Sequence, residues 1–272
     1  MKTQYYPTFS KFKELSKKGN VVPVYRQLFA DTLTPVSAFQ KVSETNYAFL
    51  LESADGGEKI AKYSTIGSNP FAGFKCKGSN VEIFNKEGIT HIETTDPFKA
   101  LEQQISKFSP VRVNGLPDFF GGAVGYTSYD SVRYVETLPD STTDDLNLPD
   151  MYFMFYDETI VFDHLNKTIK VVCAAHIDER DIQDVYEDAV NKIDNVTNKL
   201  RTPVMTLSDD ITEKGELGLK FSSNFKKSDF IQAVETCKEY IRAGDIIQAV
   251  LSQRLQTEIK AKPINIYRTL RV

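Results

Sequence analysis

The chain has 272 residues, 41% of them hydrophobic and 26% charged, and its 33 Lys and Arg against 37 Asp and Glu leave a net charge of −4. That length suffices to bury the core of one large domain, or slightly more, and the balance is that of an ordinary folded protein, which excludes fibrous and disordered classes. No basic cluster is dense enough for a nucleic-acid footprint, and no apolar run approaches the roughly 18 residues that a membrane span needs.

The first twenty residues, MKTQYYPTFSKFKELSKKGN, lack the apolar core of a secretory leader, so a cytoplasmic protein is expected. Cys76, Cys173 and Cys237 are widely scattered, and only His91, His164 and His176 are available to help them hold a metal. Without CxxC spacing they are expected to be buried free thiols in a reducing compartment. Asn166-Lys-Thr168 and Asn195-Val-Thr197 fit the glycosylation pattern by chance.

Most of residues 22–175 reads as strands. NYAFLLES, KYSTIG, NVEIFN and THIETT are short runs of aromatic and β-branched residues bounded by Gly, Asn and Asp. Two longer apolar runs flank His164 to Thr168 in PDMYFMFYDETIVFDHLNKTIKVVCAA, which predicts a hairpin with a polar loop. Helices interrupt this pattern twice. Asp96-Pro97 is a cap and first-turn pair ahead of Phe98, Leu101, Ile105 and Phe108, and a second stripe of Ile182, Val185, Tyr186, Ala189, Ile193, Val196 and Leu200 begins from Asp178.

The polar stretch RTPVMTLSDDITEKGELGLK reads as a connection, after which a second module begins. Its helix is expected to open at Ser228, to carry Phe230, Val234, Cys237 and Ile241 on one face and to stop at Gly244. The strand-like IIQAVLSQRLQTEI follows, and a last helix from Pro263 is expected to turn Ile266, Tyr267 and Leu270 inward. One helix, one strand and part of a helix cannot bury a core, so the chain is expected to be the front part of a longer protein.

Four stretches, VPVYRQLFADTLTPVSAF (Val22 to Phe39), FLLESADGGEKIAKYSTIG (Phe49 to Gly67), GGAVGYTSYDSVRYVETLP (Gly121 to Pro139) and AGDIIQAVLSQRL (Ala243 to Leu255), together resemble the chorismate-using enzymes, and among them the large subunits of anthranilate synthase. The match departs from the usual wording at Thr127 and Ser128, where an aromatic residue and a glycine are commoner. The resemblance implies an α+β fold, an α/β sandwich of antiparallel β-sheets with outer helices. It divides the chain into a regulatory N-terminal region at 1–200, a connection at 201–222 and the beginning of a chorismate-binding domain at 223–272.

It also implies a reaction, chorismate plus ammonia giving anthranilate and pyruvate, committed to tryptophan synthesis. A glutamine amidotransferase subunit would deliver the ammonia in a hetero-oligomer, and Mg2+ would hold the substrate through ligands that lie outside this chain. No catalytic residue carries over, and the chain alone is expected to be inactive. In such proteins the LLES stretch lines a feedback site for L-tryptophan, which assigns Ser53, Glu52, Leu51, Leu50 and Lys62 to tryptophan binding. A zwitterion needs an acceptor for its ammonium and donors for its carboxylate, and these side chains are of those types. Read without the resemblance, Glu52 and Ser53 simply end a strand.

Gln248 stands where water-adding relatives carry a lysine base, and a glutamine cannot take a proton at neutral pH. It is therefore a candidate for lining the active site of an ammonia-using enzyme. In GGAVGYTSYDSVR the glycines suit close backbone approach or a bent strand, and Asp130 and Arg133 are expected to pair locally. Two alternatives stay open, the large subunit of para-aminobenzoate synthase and a standalone amino-acid-binding module.

Overall fold

The apolar run after Asp150 does not form one strand: at Asp157 the chain leaves one sheet and enters another. The computed structural model of the chain describes residues 4–43, 47–52, 62–203 and 218–271. Two units are distinct, Met1–Val204 and Met205–Val272. In the first, the elements in chain order are α1 (Phe9–Leu15), β1 (Val21–Phe29), α2 (Pro35–Val42), β2 (Phe49–Glu52), β3 (Tyr63–Gly67), β4 (Ala72–Lys77) and β5 (Asn80–Asn85). They continue with β6 (Gly88–Glu93), α3 (Pro97–Ile105), β7 (Gly122–Thr127), β8 (Met151–Tyr156), β9 (Glu158–Asp163), β10 (Thr168–His176) and α4 (Ile182–Arg201).

The strands form two five-stranded antiparallel sheets, ordered β1-β10-β9-β3-β2 and β6-β5-β4-β8-β7. Helices α1, α2 and α4 cover one face of the first sheet, so the α+β expectation of antiparallel sheets with outer helices holds. β10 is covered on both faces: Ile169, Val171, Cys173 and Ala175 meet the helices, while Val172 and Ala174 pack on the opposite side. A strand covered on both sides reads as a continuous apolar run, which is why VVCAA shows no alternation. Pro23 is tolerated because β1 is an edge strand, where a missing N–H breaks no ladder bond.

On α4 the stripe Val185, Ala189, Ile193, Val196 and Leu200 is buried against the first sheet, as its spacing predicts. Burying each large aliphatic side chain is worth about 1.5–3 kcal/mol relative to leaving it exposed. The cap lies three residues after Asp178, because Asp181 is the residue whose side chain accepts from Gln183 N at 2.7 Å, and the helix begins at Ile182. Asp178 instead receives the backbone N–H of Arg180 at 3.0 Å and that residue's guanidinium. The Asp96 cap of α3 is as expected, accepting from Lys99 N at 3.0 Å.

The second sheet closes over Phe74, Cys76, Val81, Met151 and Phe155, with Ala100 and Leu101 of α3 on top. Between the sheets, Phe49 meets Tyr156 edge to face at 4.8 Å between ring centres. Gly125 on edge strand β7 shows why glycines recur there: a Cβ would lie 1.9 Å from the Tyr152 carbonyl oxygen. The local pair also forms, Arg133 Nε donating to Asp130 at 3.0 Å. Cys76 and Cys173 are buried free thiols, and burial pushes both upward, Cys173 the further, whereas Cys237 is half-exposed rather than buried.

The second unit holds β11 (Ser222–Ser223), α5 (Lys227–Ala243), β12 (Leu255–Gln256) and α6 (Pro263–Arg271), and β11 pairs with β12. Three expectations are corrected there. Lys226 rather than Ser228 precedes α5, and Ser228 Oγ donates to Asp229 Oδ1 inside the first turn. The run from Ile246 pairs only at Leu255–Gln256, because no second strand among the described residues extends the ladder, and Ile247 is 97% exposed. α6 forms, but Leu270 is 83% exposed and nothing on α5 or α6 is buried, since neither helix is covered within this unit. Gly244 does end α5 in the left-handed conformation at φ 85°.

Candidate functional site

β2 and β3 run side by side with Glu52 opposite Ser64, Leu51 opposite Thr65, Leu50 opposite Ile66 and Phe49 opposite Gly67. Gly67 is what lets the two strands close, because a Cβ there would lie 2.1 Å from the Phe49 ring. β3 then pairs with β9, Tyr63 opposite Asp163 and Ser64 opposite Phe162. Glu52, Lys62, Ser64 and Asp163 make this end of the first sheet polar.

Successive side chains on a strand face opposite sides, so the expected tryptophan contacts are divided. Leu50 packs with Ile66 and Phe162 in the core beneath the helices, while Leu51 is on the other side and half-exposed. The alternation puts Glu52 on the Leu50 side. One apolar ring cannot therefore rest on both leucines. Ser53 lies outside the described residues.

Lys62 precedes β3, and its carbonyl accepts from His164 N at 3.0 Å. Its ammonium lies 4.9 Å above the Tyr63 ring. Contact with the Tyr63 phenol, and then the charge of Asp163, hold Lys62 above its ordinary value. It is a cation at neutral pH, of the kind that receives a carboxylate.

Further residues that the sequence does not single out as site candidates surround this end. Ser64 is buried, and its Oγ lies 2.7 Å from His164 Nε2. Asp163 is buried too and accepts from Asn166 N at 2.9 Å and Asn166 Nδ2 at 2.8 Å, with Lys170 Nζ at 3.5 Å. Burial alone would push its carboxyl up, but the Asn166 hydrogen bonds and Lys170 outweigh burial and hold it below the usual carboxylate range. The arrangement offers an acceptor, a cation and a fixed anion at one sheet end, which suits recognition of a charged small molecule rather than bond breaking.

Gln248 is elsewhere in chain and environment. It is exposed, in irregular backbone between α5 and β12, not on a strand. Among the described residues no group of three or more His, Cys, Asp or Glu is placed to hold a metal ion, so the donors present do not fit magnesium. Nor is any helix among the described residues long and apolar enough to cross a membrane.

Comparison with known proteins bears on these elements together. The family described as chorismate binding enzyme matches residues 46–272. Anthranilate synthase component 1 of Acetivibrio thermocellus is 38% identical over 98% of this chain and 55% of its own length. The protein of the same name from Aquifex aeolicus is 37% identical over 95% of this chain and 52% of its own. The crystal structure of anthranilate synthase component I from Streptococcus pneumoniae TIGR4 superposes with a TM-score of 0.65 at 28% identity, over 90% of this chain and 52% of that one. The chain thus spans about half the length of the relatives it matches, and it belongs to the chorismate-binding enzyme family.

Proposed function

We propose that this chain serves anthranilate synthesis, forming about half of a large subunit that converts chorismate and ammonia to anthranilate and pyruvate. The observation that carries this reading is the 38% identity to anthranilate synthase component 1 of Acetivibrio thermocellus across 98% of the chain. The reaction is a carbon–oxygen lyase step: the ring gains an amino group, loses its hydroxyl and then releases the enolpyruvyl side chain as pyruvate. Mg2+ would be held by residues of the complete enzyme outside this chain, where it would supply a Lewis acid. A glutamine amidotransferase partner supplies the ammonia.

In this reading the residues present here regulate rather than catalyse. Glu52, Ser53 and Lys62 take the charged ends of L-tryptophan, with Leu51 or Leu50 against its indole, and bound tryptophan favours a state in which chorismate is handled badly. Such feedback requires tryptophan to bind two states of the enzyme with different affinities. Gln248 would line the chorismate pocket, in keeping with a nucleophile that arrives already competent. The chain by itself is inactive.

The test uses the product of the natural reading frame that encodes this chain, incubated with chorismate, ammonium and magnesium. Anthranilate fluorescence with equimolar pyruvate supports the reading. An aminated ring product without pyruvate release places the protein in the para-aminobenzoate branch and overturns it. The 272-residue chain under the same conditions is expected to give no anthranilate.

A further inference from the structure

A second recess lies at the opposite end of β9 from Lys62. It is bounded by the start of β9, the end of β10 and the segment from Phe120 to Ala123, and its volume is about 200 Å³. Six residue steps separate Asp157 from Asp163, about 20 Å at the rise of an extended chain, so this recess is not part of the LLES end. An apolar cavity of about 150 Å³ already accommodates a benzene ring.

Its walls are largely aromatic, from Phe71, Phe108, Phe120 and Phe155, with polar groups from Asp157 and His176 and, beside them, Asp118 and Tyr156. The His176 ring is held by the edges of Phe71 and Phe108, at 4.8 and 5.3 Å between ring centres. Its Nε2 is buried and has no hydrogen-bond partner. Asp157 Oδ2 is 3.8 Å away, too far for a direct bond, and is engaged by Lys192 Nζ at 2.7 Å. A buried polar nitrogen left without a partner costs free energy comparable to a lost hydrogen bond.

We propose that this recess binds a small phenolic ring, its face against the aromatic wall and its hydroxyl between His176 Nε2 and Asp157 Oδ2. A hydroxyl is the group that fits, because it accepts from the imidazole N–H and donates to the carboxylate at once. A carboxylate in the same place meets Asp157 and is disfavoured. The site takes nothing from the chorismate reading and stands or falls without it.

The probes are phenol, benzene and benzoate, titrated against the 272-residue chain by ligand-observed NMR. Phenol is expected to bind saturably and about tenfold more tightly than benzene, the ratio that a hydrogen bond to a charged group supplies. Benzoate is expected to bind more weakly than phenol. His176→Phe keeps a planar aromatic ring and removes the ring nitrogens, so phenol should fall to the affinity of benzene while benzene still binds. Ala123→Leu fills the recess from edge strand β7 and should abolish binding of both, with the thermal unfolding midpoint retained. Equal binding of phenol and benzene to the unaltered chain overturns the proposal. So does phenol affinity indifferent to either substitution, or an absence of saturable phenol binding.

Discussion

Ser64 Oγ and His164 Nε2 lie 2.7 Å apart, although 100 residues of chain separate them. The bond closes the polar end of β3 against the turn that follows β9. Because Ser64 is 1% exposed, its hydroxyl has no water to fall back on if the imidazole is removed. His164→Ala should therefore cost about 1–3 kcal/mol, and Ser64→Ala about 1 kcal/mol. The double variant should cost less than the sum, since removing both partners leaves no buried group unsatisfied. Urea unfolding of the four proteins measures this, and strict additivity would show that the pair is only a proximity.

Asp163 predicts an acid-dependent step in stability. Its carboxyl is lowered below the ordinary value of 3.8 in the folded chain, so the unfolded chain binds the extra proton. The contribution is fully present above pH 3.8 and is lost as the pH falls through the lowered folded value. Asp163→Asn should lower stability at pH 7 while flattening the acid limb of a stability profile between about pH 5 and pH 2. An unchanged acid slope in the variant would assign the acid sensitivity to other carboxylates.

Lys192 is the counter-ion of Asp157, which is 4% exposed. Lys192→Met strands that carboxylate and should cost about 3 kcal/mol, the low end for a buried charge losing its partner, because the lysine itself reaches solvent. Burial holds His176 below its ordinary value, Asp157 pulls it up and the Lys192 charge pushes it down. Removing Lys192 should therefore raise the His176 pKa, read from the imidazole resonances in an NMR titration. A downward shift would mean that burial, not charge, changed in the variant.

What the sequence made legible were features whose signal is local. The α4 stripe repeats over five turns, Asp96 and Pro97 announce α3, Gly244 announces the end of α5, and the polar residues from His164 to Lys167 mark the β9–β10 turn. Two short helices, α1 and α2, were not expected, and α2 lies within the stretch read as strands. Helix α2 spans only eight residues, yet Thr34 and Ser37 form a reciprocal cap ahead of it, and that spacing was the available signal. The change of sheet at Asp157 left little trace, since both sides of it are β-rich, and a single buried aspartate does not say which neighbours the next strand will find.

The candidate site was legible by residue type and not by geometry. Glu52 and Lys62 announce themselves as an acceptor and a cation beside a short apolar strand. The pairing of Ser64 with His164, and of Asp163 with Lys170, depends on the register of β3 on β9 and of β9 on β10, which no local pattern encodes. The run from Ile246 failed for the opposite reason: its residues favour a strand, but a strand needs a partner, and the ladder there is two residues long.

The two leucines of β2 separate packing from ligand contact. Leu50 faces the helix-covered core with Ile66 and Phe162, and Leu51 faces the other side, 50% exposed. Leu50→Ala removes methyl groups from a packed surface and should cost about 2 kcal/mol, toward the low end for such truncations because the side chain is only partly enclosed. Leu51→Ala should change stability by less than about 0.5 kcal/mol, as exposed positions do. If the indole of tryptophan rests on the open face, Leu51→Ala weakens inhibition of the complete enzyme severalfold with activity retained, and Leu50→Ala lowers the thermal midpoint without a comparable change in inhibition. The opposite assignment, inhibition lost with Leu50→Ala and kept with Leu51→Ala, would place the indole under the helices, where Phe162 and Ile66 already fill the space. Measuring the thermal midpoint and the tryptophan inhibition curve on the same two variants tests whether tryptophan meets β2 as proposed, and on which face.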